Sequence, residues 1–127
     1  MLTERTERTL GNQGESMSKP SDLVQGTLDL LVLKMLALKP MNGWTIGQRL
    51  KELSSDVLQV SDGSLYPALH KLEQGGWISA EWKQSENNRR AKFYSLTPLG
   101  KKALRRETDD WKRLSEAISH VVGLKGA

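Results

Sequence analysis

Residues 61–96 read SDGSLYPALHKLEQGGWISAEWKQSENNRRAKFYSL, and this stretch decides the fold. Its first half has helical spacing. Leu65, Ala68, Leu69 and Leu72 share one face, while Gly63, Ser64, Pro67, His70, Lys71 and Gln74 lie opposite, with Tyr66 at the border. Ser61 or Ser64 caps the start, and Pro67 fits best near the first turn, where its missing N–H does least harm. Gly75-Gly76 ends the helix as a left-handed cap does. From Trp77 the period changes to two. Ile78, Ala80 and Trp82 fall on one side and Ser79, Glu81 and Lys83 on the other, which predicts a strand over 77–83. A second strand is expected over 91–96, around Phe93 and Tyr94. The polar segment 84–90 joins them, giving a β-hairpin with a charged tip; residues 83–92 (KQSENNRRAK) hold four bases against one acid.

Working outward, nine of the eleven positions from Leu28 to Leu38 are apolar. A helix over 23–38 is therefore apolar all round and must be buried on more than one side. Either the domain wraps it or one side faces a second subunit. Lys39-Pro40-Met41-Asn42 breaks this helix, and Asn42 is a fair cap for the next, 43–53, with Ile46, Leu50 and Leu53 as its buried stripe. Residues 54–59 make the turn to the third helix. Downstream of the hairpin, Thr97 caps a last helix with Pro98 at its first position. It can run to Val122, roughly 25 residues or ~37 Å. Leu104, Trp111, Leu114, Ile118 and Val121 are spaced 7, 3, 4 and 3 apart, a heptad-like seam on a charged helix. A helix of this length has too little core of its own to lie against, and pairing with another chain is the economical solution.

Composition narrows the function classes. The chain has 127 residues, enough for one domain and a tail. With no cysteine, disulfides, thiolate metal sites and a cysteine nucleophile are excluded. No apolar run approaches the roughly 20 residues of a membrane span, and the polar start MLTERTERTL lacks a secretory signal. These features lead us to expect a cytoplasmic domain. Residues 1–21 lack periodicity and read as a disordered or weakly ordered tail, within which Met17 is a second candidate start. His70 and His120 lie too far apart, without neighbouring ligands, for a metal site. No P-loop, GxGxxG or nucleophile elbow is present, Gly43 to Gly47 lacking the lysine and preceding strand of a phosphate cradle. We expect neither an enzyme nor a cofactor.

The order helix, helix, turn, helix, basic hairpin, long helix is a winged helix-turn-helix: mainly α with a small β-hairpin, plus a C-terminal dimerisation helix. The domains are expected at 22–96 and 97–124. A helix fits the major groove of B-DNA, and arginines at a hairpin tip suit phosphates or the minor groove. The net charge of +4 permits nucleic-acid binding without showing it. The third helix itself is not basic, since Asp62 and Glu73 outnumber Lys71. A solvated turn at Arg89-Arg90, or a winged helix that binds protein instead of DNA, stays open at this level.

The segments GTLDLLVLKMLA (26–37), NGWTIGQRL (42–50), DGSLYPALHKLEQGGWISAEW (62–82), NNRRAKFYSLTPLGKKAL (87–104) and ETDDWKRL (107–114) together resemble the PadR family of bacterial transcriptional regulators. The likeness runs from about Leu23 to Leu124 and is to the short subfamily with a single C-terminal helix. It implies a homodimeric repressor of double-stranded DNA. Ser64, Tyr66, Pro67, His70 and Lys71 then fall on the recognition helix, with Tyr66 a typical phosphate or DNA contact. Asn88, Arg89, Arg90 and Lys92 fall on the wing. The first and last helices form the dimer interface, here Leu28, Leu31 and Met35 with Leu104, Trp111, Leu114, Ile118 and Val121. Some family members bind flat aromatic effectors near that interface through a tryptophan matched by Trp111, whose plainer reading is a core residue of the seam.

Overall fold

The computed structural model describes the backbone of residues 20–126 and the side chains of residues 27–126. The expected tail lies outside these, save for its last two residues, which open the first helix. The elements are α1 (Pro20–Leu38), β1 (Met41–Asn42), α2 (Gly43–Leu53), α3 (Asp62–Gln74), β2 (Ile78–Gln84), β3 (Arg90–Leu96) and α4 (Pro98–Val122). The three strands form one antiparallel sheet in the order β1-β3-β2. Met41 pairs with Tyr94, Ile78 with Leu96 and Trp82 with Lys92. The strand β1 was not expected from sequence. Two residues cannot show a period, and Pro40 beside them speaks only of a break.

The helix caps follow their sequence signals. The Asn42 side chain accepts the Thr45 N–H at 2.8 Å, and Thr97 Oγ1 accepts the Gly100 N–H at 3.0 Å. Ser61, rather than Ser64, caps α3. The helix therefore starts at Asp62, and Pro67 lies in its interior rather than its first turn. The missing proline N–H falls on the exposed side, where solvent can serve the freed Gly63 carbonyl. At the other end Gly76 N–H bonds the Glu73 carbonyl and Trp77 N–H the Leu72 carbonyl, both at 3.0 Å. Gly76 takes φ +79°. This is the Schellman pattern, and a residue with a Cβ would be strained at Gly76.

The core is built on α1. Leu28, Val32 and Leu33 have no exposed surface, and Met41, Ile46, Leu65, Leu69, Ile78 and Ala103 close around them from the other elements. This corrects one expectation. Leu28 and Met35, assigned to a subunit interface, are buried inside the protomer's own core, and Leu31 packs partly against it. The small domain covers Leu28, Val32, Leu33, Met35 and Leu36 along α1, while Leu38 at its end stays about half exposed. On α4 only Gly100 and Ala103 are buried, with Leu104 packed partly against the core. Beyond that point no described residue of the helix is fully buried.

Two interactions lock α4 to the α3–β2 corner. Thr97 Oγ1 donates to the Gly76 carbonyl at 2.7 Å, and Thr97 N–H to the Trp77 carbonyl at 3.1 Å. The helix can come this close because residue 100 is glycine: a Cβ there would overlap the Trp77 carbonyl oxygen.

Candidate nucleic-acid interface

Leu65, Ala68, Leu69 and Leu72 turn into the core and fix the rotation of α3. That leaves Tyr66, Pro67, His70 and Lys71 exposed, with Ser64 half-buried in the first turn. The Ser64 hydroxyl lies 3.3 Å from Ser61 Oγ, tied to the cap. The five recognition residues expected from sequence thus share the outward side of one helix.

The tip of the β2–β3 hairpin is an ordered turn. Ser85 N–H donates to the Arg89 carbonyl at 2.7 Å, and Asn88 N–H to the Ser85 carbonyl at 3.0 Å. Asn88 has φ +63°, a left-handed conformation that asparagine tolerates better than most residues, and its Oδ1 accepts from Gln84 Nε2 at 3.0 Å. Asn88 therefore shapes the turn as well as facing solvent. Arg89 and Arg90 are exposed and have no carboxylate partner among the described residues. The Arg90 guanidinium lies 6.0 Å from the centre of the Trp82 ring, within cation–π reach.

The two lysines differ from the arginines. Lys71 Nζ is 2.6 Å from Asp29 Oδ2 on α1, and Lys92 Nζ is 3.1 Å from Glu73 Oε1 on α3. Lys92 was expected on the wing with the arginines, but the strand pairing sets it opposite Trp82, below the tip and against α3. The hydrogen bond to Glu73 holds its ammonium above the usual lysine value, against the opposing effect of burial. Burial likewise pushes the neighbouring Tyr94 phenol up, with Lys92 pulling the other way. Each lysine must share its charge with a carboxylate before it can meet a phosphate. The unpaired positive charge of this face is therefore concentrated at the hairpin tip.

Two aromatic side chains that the sequence did not mark stand beside Tyr66. Trp44, second residue of α2, is 69% exposed, and Trp82 is 58% exposed. With Asn42, Gly43, Tyr66, Ala91, Lys92 and Tyr94 they border a cleft of about 370 Å³ between α2, α3 and the hairpin. The alternation did place Trp82 on the core side of its strand. What it could not show is that the hairpin outruns the core, so that the apolar row begun by Ile78 ends in solvent.

On α4, Trp111, Leu114, Ile118 and Val121 are all about half exposed or more. They follow Leu104 along the expected seam, which no part of the described chain covers after Leu104.

With this geometry in view, the comparisons with known proteins are direct. The Transcriptional regulator PadR-like family model matches residues 32–106. The chain belongs to the PadR-like family. That segment runs from α1 through α2, α3 and the hairpin into α4. A curated transcriptional regulator of Mycobacterium tuberculosis is 38% identical over 73 residues, covering 58% of this chain and 64% of that relative. A crystal structure of a PadR family transcriptional regulator from Eggerthella lenta superposes with a TM-score of 0.69 at 26% identity, covering 82% of this chain and 88% of that one. A transcriptional regulator from Clostridium thermocellum gives a TM-score of 0.71 over 78% of this chain and 96% of its own; at 23% identity it speaks for the fold alone. This PadR-like chain is thus a winged-helix transcriptional regulator rather than an enzyme. No helix among its described residues is long and apolar enough to cross a membrane.

Proposed function

We propose that this PadR-like regulator is a cytoplasmic homodimeric repressor. In this reading α3 enters the major groove of duplex DNA, the β2–β3 wing grips the flanking backbone, and a signal that favours one dimer geometry releases the operator. The observation that carries the reading is the division of labour on one face. Tyr66, Pro67 and His70 are exposed on α3, and two arginines with no carboxylate partner among the described residues stand at the adjoining hairpin tip. The α4 seam supplies the second copy, since a heptad row of half-exposed apolar residues gains most from an identical row.

The test starts from selection of duplexes out of the organism's own genomic fragments by the purified protein. Recovered sites should contain two related half-sites with centres about 34–36 Å apart, one helical turn. Loss of the gene should raise transcription beside those sites. Recovery of no site, or of sites without repeated halves, would contradict the proposal.

Two substitutions separate wing from recognition helix. Arg90→Ala should weaken all duplexes to a similar degree and flatten the salt dependence by about one for each phosphate no longer neutralised. His70→Ala should instead alter preference at particular base pairs, by about 1–3 kcal/mol where a base-edge hydrogen bond is removed. Binding isotherms at several salt concentrations on matched and mismatched duplexes check both. Identical behaviour of the two variants would show the roles to be wrongly divided.

Trp111 also suits a site for a flat aromatic effector, because it is about half exposed on the outer part of α4. Planar aromatics should then quench a part of the tryptophan emission that disappears in Trp111→Phe. Quenching that is unchanged in that variant, or absent at saturating ligand, would remove Trp111 from effector binding.

A further inference from the structure

Gly43 is buried at the first position of α2. A Cβ built on it would lie 2.7 Å from Tyr66 Cε1, 2.8 Å from its Oη and 2.9 Å from its Cζ. These separations are too short for atoms that are not bonded to each other. Gly43 is not among the glycines with positive φ, so backbone freedom does not explain the residue, and glycine is a poorer helix former than alanine. What the glycine provides is room. It lets the outer half of the Tyr66 ring lie flush against the start of α2.

All three crowded atoms belong to the far end of one side chain, and none is backbone. A β-carbon at residue 43 would therefore move the ring and leave the two helices in place. The ring has space to move into, because Tyr66 also borders the cleft of about 370 Å³ edged by Trp44, Trp82 and Lys92. Tyr66 is 45% exposed, so moving its ring alters the surface that a duplex would meet.

We infer that Gly43 is a positioning residue for DNA recognition and that it acts through Tyr66. It holds the phenol between α2 and α3, so that Oη presents one fixed hydrogen-bonding group to the DNA backbone. This rests on the DNA-binding reading above. A residue with any side chain at position 43 swings the hydroxyl toward the Trp44–Trp82 cleft and breaks that hydrogen bond while the fold persists.

The probe is a 30-base-pair duplex recovered by selection with the wild-type dimer, titrated by fluorescence anisotropy, with thermal melting of each variant alongside. Gly43→Ala should weaken binding about tenfold, the scale of one hydrogen bond to a charged group, and melt within a few degrees of wild type. Tyr66→Ala should weaken binding at least as much. The decisive comparison is Gly43→Ala made in the Tyr66→Ala background. There is no ring to displace there, and the substitution should change affinity less than twofold. Three results overturn the inference alone: Gly43→Ala binding like wild type, an undiminished effect in the Tyr66→Ala background, or a Gly43→Ala protein that melts far below wild type. A wild-type protein that selects no duplex overturns the DNA reading and this inference together, and is seen before any variant is made.

Discussion

Leu114→Glu is expected to run as a monomer in gel filtration and to bind a selected duplex at least ~100-fold more weakly than the parent. The physical reason is local. Leu114 is 59% exposed on the protomer, and it sits midway along the seam of Trp111, Leu114, Ile118 and Val121. Closing that seam against a second copy removes each of these side chains from water, worth about 1.5–3 kcal/mol for a fully buried leucine, isoleucine or valine. A glutamate at the centre forfeits its share and places an unpaired carboxylate in the interface, which costs several kcal/mol more. Once the dimer is gone, the second half-site no longer binds as an intramolecular event, and that effect alone is worth 10²–10⁴ in affinity. The folded domain should survive, since nothing in its core includes Leu114. A Leu114→Glu protein that stays dimeric would place the subunit interface on another surface.

Gly100→Ala tests the fold itself and should be the most damaging single-methyl change in the chain. The added Cβ would overlap the Trp77 carbonyl oxygen and lie 2.7 Å from Leu96 Cδ1. The obstacle is backbone, and it is held in place by the Thr97 N–H bond to that same carbonyl, 3.1 Å long. Relief requires α4 to shift away from the α3–β2 corner, which disturbs Ala103 and Leu104 against the core. Overpacking of this kind costs about 1–3 kcal/mol or more. For a domain of this size we expect the melting temperature to fall by roughly 5–20 °C. Gly43→Ala adds the same methyl group against a movable ring and should melt within a few degrees of wild type. The contrast between the two glycines is itself a check, by calorimetry, on where backbone and where side chain set the limit.

The elements with strong periodicity or clear caps were legible in the sequence. Asn42, Thr97-Pro98 and Gly75-Gly76 each mark an end that the structure places at that residue or next to it. The outward side of α3 was legible for the same reason, because four apolar residues at helical spacing define what faces in. Four features were not. The strand β1 is too short to carry a pattern. The burial of Leu28 and Met35 depends on how many elements surround α1, which periodicity cannot count. The pairing of Lys71 with Asp29 and of Lys92 with Glu73 joins residues far apart in the chain, so the resemblance placed both lysines on the DNA face with no sign of the carboxylates beside them. Trp44 and Trp82 were missed because an aromatic residue near an apolar row reads as core until the extent of the core is known.

The central claim is that two copies present matched recognition helices to one duplex. The most direct measurement is hydroxyl-radical footprinting of a selected duplex at saturating protein, with the stoichiometry determined on the same complex by sedimentation. We expect two protomers per duplex and two equivalent protected patches about one helical turn apart, ~34–36 Å, both fading in parallel as salt is raised. One protomer per duplex, or a single protected patch that persists at saturation, would contradict it.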